Sequence, residues 1–469
     1  MKRALLSGLF LAVLPALRGA QSAAQAGAAP PAAKRAWTIL VYGGADNNAD
    51  GPVLEFLDDV RKAIDDDPGI ELLLFVDRSD KFSDFDGMPG GDFTGARLFR
   101  LHANSAERLS GGEELPDITL DGDPEIDSAD ADNLRRFIDW GKAHYPAQRT
   151  GLMIYSHANG RSMCPDQESG RDMGIPELSR VLSEKESLDF MALELCNMGG
   201  IEISYQWRPG KGRFGSDVLL AIPNAGPPLD WDRAFARIRS KGHDKSPLPG
   251  PYLDPAAMTA EAFGQLVIEE GKRGREAALA HHPNAVHEAA GCYDLRKAEA
   301  VKKSVDALAV ALAAGDSKDV FCEMRGPGPI GDALNYDGGD GPFVDLYDLC
   351  RRAADCDALD DAVRARARDV MTAVDGFVLA SFGMSGYAGF ADGKDGVFIV
   401  LPMNDKGRWR NFKWYTPLAN VDAGKDYGHW AFLADGATPA NGKVENWFEL
   451  LDSWFDEPDD AGGINGYRY

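Results

Sequence analysis

Residues 188–207 read LDFMALELCNMGGIEISYQW. Leu188, Phe190, Met191, Leu193 and Leu195 form an apolar run that is short and lacks a helical cap, so it predicts a buried strand. Cys196 stands at the end of that strand. Gly199 and Gly200 follow, then Ile201, Ile203 and Tyr205 in an expected helix. In open α/β sheets, reactive groups gather outside the carboxyl ends of the strands, and a helix start lowers a thiol pKa. Two readings of Cys196 stand at this point. It is a reactive thiol, or it is a small core residue, since free cysteine is among the most buried residue types.

Working outward, the chain alternates strands and helices. Residues 37–42 (WTILVY), 70–76 (IELLLFV), 96–101, 151–155 (GLMIY) and 218–222 (VLLAI) read as strands. Residues 53–64, 130–145 and 176–182 carry helical spacing. Residues 78–95 and 103–127 are polar enough to be loops. This order implies an α/β fold, a mostly parallel sheet flanked by helices on both faces. Further on, residues 258–315 and 342–382 look largely helical. Residues 396–401 (GVFIVL) form a late strand able to return to the sheet, and residues 444–455 form an amphipathic helix. The organisation expected is a leader (1–26), a linker (27–36), an α/β core (37–250), a helical region with one late strand (251–435) and a terminal helix and tail (436–469).

The strand at 151–155 delivers Ser156-His157-Ala158-Asn159-Gly160. His157 and Cys196 are 39 residues apart, room for one helical crossover. Two neighbouring parallel strands would then present an imidazole and a thiol at one sheet edge. A cysteine nucleophile needs that base, together with backbone N–H groups for the oxyanion. Taken alone, His157 is a histidine at a strand end; taken with Cys196, it is a candidate base.

Composition narrows the partners. The formal net charge is −24, from 74 acidic and 50 basic residues. That argues against nucleic acid or an anionic membrane surface. Residues 1–26 have the form of a secretory signal: Lys2 and Arg3, an apolar stretch at 4–17, and small residues ending in Ala24-Gln25-Ala26. The apolar stretch is too short to span a membrane, so an exported protein, periplasmic or secreted, is expected. Six cysteines in an exported chain allow one or two disulfides. Gly326-Pro327-Gly328-Pro329-Ile330-Gly331 mimics a dinucleotide loop, but its prolines remove backbone donors. His281, His282 and His287 read as a surface cluster.

The ordered motifs resemble the clostripain family of cysteine peptidases, relatives of caspases, gingipains and legumains. They are Tyr42-Gly43-Gly44-Ala45-Asp46-Asn47-Asn48, then Leu134, Phe137, Ile138 and Trp140, then His157-Ala158-Asn159-Gly160 and Glu194-Leu195-Cys196-Asn197-Met198. The 227–231 loop and the 396–402 strand complete the set. The resemblance implies a caspase-like fold and an endopeptidase acting on peptide or protein, with His157 as general base and acid and Cys196 as nucleophile. It implies an oxyanion held by the backbone N–H groups of Cys196 and Ala158, where the family has glycine at the latter. It also implies a preference for Arg or Lys before the scissile bond. Glu194 and Asn224 are the matching specificity positions, and Asn224 replaces a family carboxylate. The chemistry requires no cofactor. The resemblance allows a calcium requirement without placing a site, and allows self-cleavage at Arg161, Arg171, Arg180 or Lys185. The alternative is a silent relative that binds peptide or a cell-surface ligand in the same cleft.

Overall fold

Near-continuous burial along a strand requires cover on both faces of its sheet, and the central strands here have it. The computed structural model describes residues 35–455. It omits 68, 83–92, 244–247, 249, 282–287, 326–330, 338–340, 385, 403–408, 410, 411, 413, 416–420, 423, 424, 427, 428 and 437–440. Residues 1–34 (the leader and most of the linker), the Gly326–Gly331 motif up to residue 330, and His282 and His287 of the histidine cluster therefore lie outside the described residues.

Elements are numbered in chain order. Five parallel neighbours form the centre: β1 (Arg35–Ala45), β2 (Ile70–Arg78), β5 (Ala147–Tyr155), β8 (Leu188–Glu194) and β9 (Ser216–Ala221). Antiparallel strands extend both edges: β3 (Gly95–His102) and β4 (Ser105–Leu109) beyond β2, and β10 (Ala289–Asp294) and β12 (Val378–Gly383) beyond β9. The nine strands run β12-β10-β9-β8-β5-β1-β2-β3-β4. Among the described residues three small pairs stand apart: β6 (Ser162–Asp166) with β7 (Arg171–Gly174), β11 (Phe343–Asp345) with β13 (Phe398–Val400), and the short β14 (Val421–Asp422) with β15 (Lys425–Asp426).

Alternation along the strands sorts side chains to two faces. Ile39, Val41, Leu72, Leu74, Met153, Phe190 and Ala192 pack with α1 (Asp50–Ala63), α5 (Trp231–Ala236) and α6 (Ala260–His281). Leu40, Tyr42, Leu73, Phe75, Leu152, Ile154, Met191 and Leu193 belong to the opposite core. That core includes α2 (Ala131–His144), α3 (Ile175–Val181), α4 (Ile201–Gln206), α7 (Ala298–Ala314), α8 (Lys318–Glu323), α9 (Leu346–Asp355) and α10 (Asp361–Phe377). The short α11 (Ala431–Ala434) and α12 (Trp447–Phe455) complete it.

Three expectations need correction. Residues 105–109, expected as loop, form β4 against β3. The regions 258–315 and 342–382 are largely helical, as expected, and they also supply β10 and β12 to the sheet. The late strand does not return to that sheet; β13 pairs with β11 instead. All six cysteines are free, and Cys164, Cys292, Cys350 and Cys356 are buried, so these thiols pack as small apolar groups. The nine-stranded sheet takes strands from both sides of residue 250.

Candidate active site

β5 and β8 are parallel neighbours, and their last paired residues are Tyr155 and Glu194. Two residues beyond each lie His157 and Cys196. The crossover of one helix expected from the sequence is therefore present, as α3, and both groups leave the sheet at the same edge. Cys196 and His157 are each partly exposed.

The two tips are held differently. At the histidine tip, the Ser156 hydroxyl donates to the Gly44 carbonyl (2.5 Å), and the Asn47 amide donates to the Pro165 carbonyl (2.8 Å). The His157 carbonyl accepts from Cys164 N–H. The His157 ring Nε2 meets Asn48 Oδ1 at 2.9 Å. Burial lowers the His157 pKa. At the cysteine tip, Asn197 N–H donates to the Asn224 carbonyl (3.0 Å) and Met198 N–H to the Ile222 carbonyl (2.8 Å). Asn197 takes a left-handed φ of 60°, which asparagine tolerates better than most residues. The helix begins only at Ile201, so a turn separates it from the thiol. Gly160, at φ 83°, is where the two tips touch. A Cβ there would lie 3.2 Å from the Asn197 carbonyl and 2.5 Å from the Phe343 ring.

The N–H groups of Ala158 and Cys196 have no hydrogen-bond acceptor among the described residues. Both stand beside the candidate reacting groups, free to donate.

Glu194 is fully enclosed. Its carboxylate accepts from Trp231 Nε1 (2.7 Å) and Leu229 N–H (2.9 Å). Burial outweighs those two donors and raises its pKa to about 7. Asn224 is likewise enclosed: Oδ1 accepts from Ala289 N–H (2.9 Å), and the amide donates to the Ala225 carbonyl (2.8 Å). Both residues thus spend their polar atoms on the protein's own backbone and on Trp231.

Beside them lies a 330 Å³ cavity bounded by α1 and the 227–232 loop. Glu55, Asp59, Asp230 and Asp232 line it, with Tyr155, Leu229 and Arg275. Tyr155, which lines the cavity, is also the last β5 residue paired with β8, opposite Glu194 and two residues short of the thiol's level. The lone arginine is already engaged, with Glu288, with Asp230 (3.7 Å) and with the Pro228 carbonyl. The cavity therefore offers net negative charge. Its acids lie on α1 and after the 227–228 prolines, where residue type alone did not distinguish them from solvated surface. A second cavity, of 470 Å³, opens from His157 along the β6–β7 hairpin.

A caspase-like α/β sheet that brings a histidine and a cysteine to one edge defines a class, the cysteine peptidases of this fold. The comparisons name the family. The model of the clostripain family matches residues 41–454. Clostripain of Hathewaya histolytica is 33% identical over 476 residues, spanning 92% of this chain and 89% of that protein. An inactive zymogen C11 protease from Parabacteroides distasonis matches in fold with a TM-score of 0.54 at 15% identity, covering 81% of this chain and 97% of that one. A secreted C11 cysteine protease from Bacteroides thetaiotaomicron, solved with an irreversible peptide inhibitor, gives 0.52 at 16% identity, covering 81% and 98%. The chain belongs to the clostripain family, and by class it is a cysteine endopeptidase.

Proposed function

We propose that this chain is an exported endopeptidase in which Cys196 and His157 form the catalytic dyad, with a preference for a cationic side chain before the scissile bond. The observation that carries the dyad is the β5–β8 register, with both groups two residues past the Tyr155–Glu194 pair.

The chemistry follows from the hydrogen bonds. Asn48 Oδ1 accepts from Nε2–H of His157, which leaves Nδ1 with its lone pair as the base. Burial lowers the imidazole pKa, which favours the neutral form that acts as the base. Nδ1 takes the thiol proton as Sγ attacks the substrate carbonyl carbon. The oxyanion is held by the free N–H groups of Ala158 and Cys196. The protonated imidazole gives its proton to the leaving amine, and a thioester remains. Water, deprotonated by the same Nδ1, hydrolyses that thioester and restores the thiol. No cofactor enters any step.

For specificity, the reading rests on the acidic cavity. Glu55 and Asp230 supply carboxylates to a guanidinium or ammonium group. Glu194 acts as a support that fixes Leu229 and Trp231 in the cavity wall, and Asn224 supports the cysteine turn. Residues 1–26 and the secreted relative favour export; among the described residues, no helix is long and apolar enough to cross a membrane.

The test is a panel of peptides differing only in the residue before the scissile bond. Arg and Lys peptides should exceed Leu and Glu peptides by roughly tenfold or more in kcat/KM. Asp230→Asn and Glu55→Gln should narrow that ratio while sparing the Leu peptide. Equal cleavage across the panel would remove the specificity reading, and confinement of the enzyme to the cytoplasm would remove export.

A further inference from the structure

The loop that walls the acidic cavity lies against α6, and α6 is shaped to receive it. Gly271 and Gly274 stand three residues apart within this helix of 22 residues. Each costs about 1 kcal/mol relative to alanine in a helix interior. A Cβ at Gly271 would press on Leu229 at 3.0 Å, and one at Gly274 would overlap the Asp230 carboxylate. The two glycines therefore let the 227–232 loop lie directly on the helix.

Arg275, the next residue, reaches the same loop. Its guanidinium donates to the Pro228 carbonyl, pairs with Glu288 and stands 3.7 Å from Asp230. Its side chain is mostly enclosed, as is that of Glu288, one residue before β10. Among the described residues Glu288 has no partner besides Arg275. A planar guanidinium fork serves several acceptors at once, whereas an ammonium on a flexible stem is a point charge.

Asp230 is the informative partner. It occupies the N-cap position of α5, yet its side chain makes no capping hydrogen bond. Aspartate at that position ordinarily turns its carboxylate onto the first helical N–H groups. Here the residue lines the cavity and has Arg275 as its ion-pair partner. Burial raises the pKa of Asp230, and raises those of Glu288 and Glu194 to about 7; Arg275 opposes the rise in each. One guanidinium set against three carboxyl groups leaves the cluster short of positive charge.

We propose that Arg275 is a specificity-determining positioning residue: by tying the Pro228 carbonyl, Asp230 and Glu288 to α6, it keeps the Asp230 carboxylate in the cavity, where a substrate cation completes the charge. Arg275 acts through Asp230 and does not meet the reacting atoms. This role rests on the specificity reading above, and the experiment separates the two.

The test compares Arg275→Gln, Arg275→Lys and Gly274→Ala in the full mature protein, using the Arg and Leu peptides of the panel. Arg275→Gln should raise KM for the Arg peptide about tenfold, with kcat and the Leu peptide's kcat/KM each changed less than about threefold. Arg275→Lys keeps the charge without the fork and should recover only part of the loss. Gly274→Ala leaves Arg275 in place and improves helix propensity. It pushes the Asp230 carboxylate aside, so it should show the same selective rise in KM. Iodoacetamide, which carries no side chain for the cavity, should alkylate Cys196 near the wild-type rate in every variant. A merely structural role would slow that alkylation and depress both peptides alike. Where Arg275→Gln fails to fold because Glu288 is left buried and unpaired, the double variant Arg275→Gln/Glu288→Gln removes both charges and takes its place. An unchanged Arg-to-Leu ratio in folded Arg275→Gln and Gly274→Ala would overturn the role. So would a lower KM for the Arg peptide in Arg275→Gln, which would make the guanidinium a rival of the substrate cation. A ratio lost in Asp230→Asn but kept in these variants sinks the Arg275 role and leaves the specificity reading standing. Equal wild-type cleavage of both peptides sinks the specificity reading itself, and the role with it.

Discussion

The two strand tips that carry the candidate chemistry are built on opposite plans. The His157 tip hangs on side chains: Asn48 on the ring, Asn47 bridging to the hairpin, Ser156 on the Gly44 carbonyl. The Cys196 tip hangs on backbone: Asn197 and Met198 donate N–H groups to the exit of β9. A base must be oriented to within hydrogen-bond geometry and must also gain and lose a proton, so its supports are polar and adjustable. A nucleophile on a tight turn needs only a fixed position, and main-chain bonds supply that whatever the neighbouring side chains are. The difference predicts where the site is sensitive to substitution.

Asn48→Ala should have the larger effect on catalysis. Losing the ring's partner frees the imidazole to rotate and to carry its hydrogen on the wrong nitrogen, so kcat should fall about 10–100-fold with KM little changed. In the wild type, the rate should rise with pH on an acid limb below the ordinary histidine range, because burial lowers the His157 pKa and the base acts when neutral. A full rate and an unshifted acid limb in Asn48→Ala, read from pH–rate profiles, would break the comparison.

Asn224→Ala should have the smaller effect. The carbonyl that holds Asn197 N–H survives the change, so turnover should fall by no more than about threefold. The loss appears in stability, because Ala289 N–H is left buried without its acceptor, at a cost of about 1–3 kcal/mol in a denaturant titration. A large catalytic loss with unchanged stability would mean that Asn224 meets substrate directly.

The sequence made the parallel centre and both tips legible, because each central strand is a short apolar run and His157 and Cys196 each follow one directly. The edge strands were harder. β10 is AAGCYD, small residues without β-branched character, sitting between helices. β12 begins directly where α10 ends, with no turn residue to separate them. In contrast, 396–401 has the stronger strand composition, yet it is claimed by β11 rather than by the sheet. Asn48 was visible as a motif residue, but its partner lies 109 positions away and only the fold joins them. The same holds for Arg275, whose partner Pro228 lies 47 positions away. Glu194 and Asn224 show the opposite limit: a matched position fixes where a residue sits, while its hydrogen bonds decide what it does there.

The central claim is that Cys196 reacts and His157 activates it. A lysyl or arginyl chloromethyl ketone incubated with the protein, followed by peptide mapping by mass spectrometry, tests this most directly. The account predicts a single adduct on Cys196, abolished in Cys196→Ala and slowed by roughly a thousandfold in His157→Ala. An adduct on one of the other five cysteines, or labelling of Cys196 at an undiminished rate in folded His157→Ala, would contradict it.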